Sequence, residues 1–184
     1  MDFWYYSQLV SDVDLKIGAL IGKVNNLISQ YPMYDKNVET DATLILDYIW
    51  LGNCKVALDL NFVTSEHIKN IINVTPTVSN IFPFINYYNF TIHDSEACDI
   101  IIMDDIIRCA DIIHYSVMKK EAILIHCKKG HHRSACIIAV YLMKYCNMRL
   151  LDAIVFIKNK RPTTFARITC MLKTLIIFEA MNKI

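Results

Sequence analysis

Glycine is scarce in this sequence, at 4 residues in 184, and after Gly52 only Gly130 remains. No repeat and no low-complexity linker divides the chain, whose length is one domain's worth and enough to bury a proper core. A surplus of charge is missing as well. Nineteen basic residues face eighteen acidic ones, for a net charge of +1, so no global basic field draws in nucleic acid. Only local charge could then recognise an RNA 5′ end. Long uninterrupted hydrophobic runs are missing too, although 54% of the residues are hydrophobic. The longest stretch without a charged side chain, residues 70–93, is broken by Pro76, Pro83 and several asparagines, which excludes a spanning helix. Asp2 leads the chain and no positive-then-apolar segment follows, so no signal peptide is expected.

The glycine that remains sits where a loop needs it. Residues 123–134 read Ile-Leu-Ile-His-Cys-Lys-Lys-Gly-His-His-Arg-Ser, an apolar run that ends in Cys127 and continues to Arg133 and Ser134. Glycine lets backbone N–H groups turn inward with no Cβ in the way. A ring of inward amides leading into a helix binds a tetrahedral oxyanion. The same amides lower a thiol's pKa by several units from its usual value of about 8.5. Cys127 would then be a thiolate at neutral pH and could attack a phosphoester without a separate base. Arg133 offers a planar fork that matches two phosphate oxygens, as a lysine point charge does not. Ser134 can donate to the sulfur when a phosphocysteine breaks down, and His126 orders the loop rather than doing chemistry.

Lys128, Lys129, His131 and His132 would give the loop a cationic rim. With Gly130 and Arg133 they form the candidate substrate-binding set. Their charge would favour a polyanion and further depress the Cys127 pKa, unless the side chains point away into solvent. This chemistry needs no metal or other cofactor. The other six cysteines, Cys54, Cys98, Cys109, Cys136, Cys146 and Cys170, read as core residues. A nucleophile that must stay reduced argues for a cytosolic compartment over a disulfide framework.

The leaving alkoxide or phenoxide needs a proton. Asp94, in a polar loop at the end of an extended-looking run, is the candidate general acid. Glu96 and Asp99 compete with it, although Asp99 reads better as the N-cap of the helix that follows. His93 reads as a solvated loop histidine, and Arg167 as a surface or structural arginine. The charges from Lys158 to Arg161, closed by Pro162, read as a solvated turn rather than a second site.

Hydrophobic patterning predicts strands at 44–50, 71–74, 87–92 and 122–126, and helices at 64–70, 99–118, 134–145, 150–158 and 165–180. This alternation is an α/β pattern. The 122–126 run lacks polar alternation and reads as a buried central strand, which places Cys127 at its C-terminal end, where α/β sheets keep their sites. At the N-terminus Val10, Val13, Ile17, Leu20, Val24 and Leu27 mark one apolar helix face behind an aromatic cluster, Phe3 to Tyr6. That face must be covered either by its own domain or by a second chain. The expected division is a helical extension over residues 1–40 and a catalytic domain over 41–184.

His126, Cys127, Gly130, Arg133 and Ser134 match the signature His-Cys-x-x-Gly-x-x-Arg-Ser/Thr, so the sequence resembles the cysteine-dependent dual-specificity protein phosphatases. Asp94 followed by Asp99-Ile100 resembles that family's acid motif, Asp-x4-Asp-Ile. Residues 48–53, 71–75, 139–143 and 153–162 extend the likeness, and Leu51-Gly52-Asn53 with Ala57-Leu58-Asp59 resembles the small poxvirus members in particular. The resemblance implies a single-domain cysteine-phosphatase fold: a central, mostly parallel sheet flanked by helices, here with an extra N-terminal helix. It implies hydrolysis of phosphotyrosine and phosphoserine/threonine on protein substrates through a phosphocysteine intermediate. From the poxvirus members it further implies a viral protein of the host cytoplasm or virion, and a homodimer formed through the N-terminal helix. The cationic rim resembles that of lipid-directed relatives. The alternative is therefore the same scaffold acting on a phosphoinositide, an inositol pyrophosphate or an RNA 5′-triphosphate. A phosphate-binding pseudoenzyme is disfavoured, because Cys127, Arg133, Ser134 and Asp94 are all intact.

Overall fold

The apolar run that ends in Cys127 forms the middle strand of a five-stranded sheet. The strands are β1 (Ala42–Leu46), β2 (Ile49–Gly52), β3 (Ile68–Asn73), β4 (Asn86–Asn89) and β5 (Ala122–His126), in the order β1-β2-β5-β3-β4. The computed structural model describes residues 3–31, 40–75, 77–92, 100–166 and 170–182. β2, β5, β3 and β4 run parallel, and β1 pairs antiparallel with β2 at the edge. Every residue of β5 is buried. Ile123 and Ile125 enter the larger core, while Ala122 and Leu124 enter a smaller one on the opposite face. A strand buried on both faces has no use for polar alternation, which is why the run is apolar throughout.

Four helices layer over the face that carries Ile123 and Ile125: α3 (Ile100–Met118), α4 (Arg133–Tyr145), α5 (Leu150–Lys160) and α6 (Cys170–Asn182). α4 is their centre, buried at every position from Ser134 to Met143. The other face carries a 3-10 turn, Val56–Leu58, the short helix α2 (Leu60–Ser65), and Phe82 and Ile85 from the segment before β4. Asp59 caps α2, its carboxylate accepting from the N–H groups of Asn61 and Phe62.

The N-terminal helix α1 (Phe3–Ser29) finds cover within its own chain along its second half, lying against α6. Val24 is fully buried, and Ile17, Leu20, Ile21, Leu27 and Ile28 pack on the main core. Each fully buried aliphatic side chain is worth roughly 1.5–3 kcal/mol. Leu15, two residues before Ile17, is 69% exposed.

The expected architecture holds, with four local corrections. The single strand expected at 44–50 is a hairpin, with a turn at Asp47 and Tyr48 between β1 and β2. The helix expected at 64–70 is α2, four residues earlier, and its expected second half is strand β3. β4 is shorter than the 87–92 run. α6 begins at Cys170, because residues 162–165 form a turn.

Candidate active site

The parallel pairing brings three strand ends to one edge: His126 of β5 lies opposite Gly52 of β2 and Asn73 of β3. The chain leaves the sheet at Cys127, loops through Gly130 and enters α4 at Arg133, so the helix N-terminus faces the loop. Cys127 Sγ accepts two hydrogen bonds, from the Gly130 N–H at 3.1 Å and from Ser134 Oγ at 3.3 Å. Arg133 Nη1 donates to the carbonyls of Ile92 (3.1 Å) and Val74 (3.4 Å), which fixes the guanidinium beside the loop. Its Nε is buried with no partner among the described residues. A buried charged donor left open in this way is costly unless a ligand completes it, and an oxyanion on the loop would do so.

Burial of the sulfur, at 3% exposure, opposes ionisation. That is outweighed by the Ser134 hydroxyl and amide, the Arg133 charge and the Gly130 amide, which together hold the Cys127 thiol below its ordinary value. His126 behaves in the opposite way. Burial, joined by the Arg133 charge, outweighs an upward pull from the Cys127 backbone and holds its imidazole at about 4. His126 is therefore neutral near neutral pH.

The His126 shift has a measurable consequence. The unfolded chain protonates this residue from about 6.5 downward, whereas the folded protein resists until about 4. Stability is thus complete above that window and falls through it as pH drops, by about 3 kcal/mol in all. Urea midpoints at neutral pH and near pH 4.5 should show this loss in wild type and a smaller one in His126→Gln. Equal losses in both would remove His126 as the source.

Several residues that shape the site entered the sequence reading only through the family likeness. The Asn53 side chain accepts from the N–H groups of Lys55 and Val56 and donates to Asp41, which sets the loop after β2. From that loop the Cys54 N–H donates to the Lys128 carbonyl. Asn73 accepts from the Thr75 amide and hydroxyl beneath Val74. The solvated turn expected at Lys158 to Arg161 is overturned at both of its ends. Lys158 and Arg161 are each 2% exposed, and only the intervening Asn159 and Lys160 face solvent. Lys158 Nζ donates to the carbonyls of Pro162 and Thr164, and Arg161 Nε donates to that of Gly130. Partners rather than water hold both charges. The available signals were the family likeness over 153–162 and Arg161 immediately before proline, where the helix must end and the side chain leaves the helical pattern.

The rim divides into two pairs. Lys128 and Lys129 are exposed, while His131 and His132 are buried with their rings edge-on at 6.3 Å. Asp94 and its competitors Glu96 and Asp99, together with His93 and Arg167, lie outside the described residues.

A thiol held by amides and a hydroxyl, beside an arginine with an open donor, at the C-terminal edge of the parallel strands, offers the donors that a tetrahedral oxyanion needs. The profile of the dual specificity phosphatase catalytic domain matches residues 49–180, and the chain belongs to that family. It is 35% identical over 114 residues to human dual specificity protein phosphatase 21, covering 62% of this chain and 60% of that one. The chain thus spans less than two thirds of that relative's length. Human DUSP28 shares the fold at a TM-score of 0.72 and 19% identity, with 80% of this chain and 98% of that one aligned. OH1, a tyrosine phosphatase from the Orf virus, shares it at a TM-score of 0.66 and 14% identity, over 84% and 93% of the two chains.

Proposed function

We propose that this chain is a dual-specificity protein phosphatase, hydrolysing phosphotyrosine and phosphoserine/threonine through a phosphocysteine intermediate. The observation that carries the reading is the Cys127 sulfur, held by Gly130 and Ser134 with its pKa lowered, next to Arg133 with its open Nε. The thiolate attacks phosphorus in line, and the S–P bond forms as the P–O bond to the side chain breaks. Arg133 and the loop amides hold the equatorial oxygens, and Asp94 gives its proton to the departing oxygen. Asp94, now a carboxylate, takes a proton from water, which attacks phosphorus. The S–P bond breaks with Ser134 donating to the returning thiolate, and inorganic phosphate leaves.

Phosphate release by wild type and Cys127→Ser on matched substrates tests this reading. The panel is phosphotyrosyl and phosphothreonyl peptides, phosphoinositides, an inositol pyrophosphate and triphosphate-ended RNA. Turnover that depends on Cys127 and is highest on the peptides is the expected result. Peptide rates at background beside fast release from a polyanion would overturn it, and would make the exposed Lys128 and Lys129 the specificity element. Asp94→Asn should slow esters with poor leaving groups far more than those with good ones. Equal losses on both would take Asp94 out of the acid role.

The proposal extends to the chain's setting. The catalytic unit begins near residue 41, behind the helical extension. Cysteine chemistry that must stay reduced fits a cytoplasmic enzyme. Richness in isoleucine, asparagine, lysine and tyrosine fits a viral, AT-rich source. No helix among the described residues is long and apolar enough to cross a membrane. A homodimer through α1 belongs to the same reading. The sequence stripe continues through Val10 and Val13 past the half that docks on α6, and Leu15 is exposed beside it. Sedimentation at micromolar concentration should give a dimer, and a monomer would sink the idea.

A further inference from the structure

We propose that Arg161, with Lys158 behind it, is a positioning residue that sets the shape of the catalytic loop and through it the reactivity of Cys127. The proposal rests on the phosphatase reading above and names an element outside the signature that makes this site work.

Gly130 is held at both of its backbone polar groups, on either side of its Cα. Its N–H donates to Cys127 Sγ at 3.1 Å, and its carbonyl accepts from Arg161 Nε at 3.1 Å. A change at one end moves the other. An anion-binding loop needs its carbonyls turned outward so that its amides can turn inward, and a charged donor outside the loop imposes that orientation. Arg161 is such a donor, and a second arm of its fork is anchored as well. Nη1 donates to the Thr40 carbonyl at 2.8 Å and to Thr43 Oγ1 at 3.0 Å, so one guanidinium ties the loop to the start of β1. A lysine has no second arm with which to do this.

A second tie runs in parallel. Lys158 Nζ donates to the carbonyls of Pro162 (3.2 Å) and Thr164 (2.6 Å), gathering the 161–165 turn around a buried ammonium. The Thr164 N–H and hydroxyl close that turn on the Arg161 carbonyl, at 3.1 and 2.8 Å. The turn then presents the Phe165 N–H to the His131 carbonyl at 3.1 Å. Two consecutive loop carbonyls, at Gly130 and His131, are thus drawn outward by one turn whose shape Lys158 holds. The Tyr31 ring lies 4.7 Å from the Lys158 ammonium, so the end of α1 abuts the same assembly.

The test uses full-length wild type, Arg161→Lys and Thr43→Val. Iodoacetate labelling of Cys127 is followed against pH on its own peptide by mass spectrometry, alongside thermal midpoints and kcat and KM on a phosphotyrosyl peptide. In folded Arg161→Lys the labelling midpoint should move to higher pH. Its kcat should fall on the order of tenfold to a hundredfold, with KM changing less, as expected when a reacting group is misplaced from a distance. Thr43→Val, which removes one acceptor and keeps the charge, should move both in the same direction by less. A folded Arg161→Lys with the wild-type labelling midpoint and kcat overturns the proposal. If Arg161→Lys does not fold, an unmoved midpoint in folded Thr43→Val overturns it instead. A wild-type Cys127 that labels only where an ordinary thiol does, without protection by inorganic phosphate, overturns the phosphatase reading and this proposal with it.

Discussion

Phosphate release by Cys127→Ser should fall on the order of a hundred-thousandfold to a millionfold, the scale at which a hydrolase loses its nucleophile. A serine hydroxyl stays protonated near neutral pH. The two donors that hold a thiolate, the Gly130 N–H and Ser134 Oγ, cannot make an alkoxide of it. The oxyanion contacts, in contrast, survive the change. Arg133 keeps its tethers to Val74 and Ile92, and its open Nε is still available to a phosphate. Removing the thiolate also removes a negative charge that repels the phosphate dianion. Calorimetric titration with a phosphotyrosyl peptide should therefore show affinity equal to wild type or better. Residual turnover within a hundredfold of wild type would mean that Cys127 is not the nucleophile.

Gly130→Ala carries the second large effect, and it acts through the backbone. Gly130 has φ of +70°, a left-handed conformation that costs an L-residue roughly 1–2 kcal/mol. A Cβ there would also lie 2.7 Å from the Gly52 carbonyl oxygen and 3.0 Å from Arg161 Nη2. The Gly52 side of this contact has little room to retreat. A Cβ built on Gly52 itself would stand 2.5 Å from Val56 Cγ1 and 2.9 Å from Leu124 Cδ1, which shows how tightly that residue is packed. Overpacking of this kind adds roughly 1–3 kcal/mol, so urea unfolding should register a loss of about 2–5 kcal/mol. Any folded fraction should release phosphate slowly, because the amide that serves Cys127 has moved. A variant within half a kcal/mol of wild type, at full activity, would show that the loop has slack it is not credited with here.

What the sequence made legible follows from where its signals are strong. The central strand was readable because β5 is buried on both faces, and the loop because its cysteine, glycine and arginine each answer a chemical demand. The 44–50 hairpin was not readable, because a tight turn normally advertises itself with glycine or asparagine. Here Tyr48 takes the left-handed position, with φ of 69°. His67, at φ 51°, does the same before β3 and leaves no break between the helical pattern and the strand. Lys158 and Arg161 were misread for another reason. Charge near a helix end predicts solvent unless something buried accepts every donor, and the acceptors are carbonyls that no side-chain pattern reports. Asp94 was legible from its place in a polar loop after the extended run and from its spacing to Asp99-Ile100.

The glycine contact separates positions that must lack a side chain from those that need not. Elsewhere the chain places bulky residues, Tyr48, His67 and Lys120, at left-handed positions. The two glycines outside α1, Gly52 and Gly130, touch one another across the base of the active site, whereas Gly18 and Gly22 have open space where a side chain would go. A Cβ on Gly130 would press on the Gly52 carbonyl, and a Cβ on Gly52 would press on Val56 and Leu124. Both glycines thus stand where the packing at the base of the loop leaves no room for a side chain.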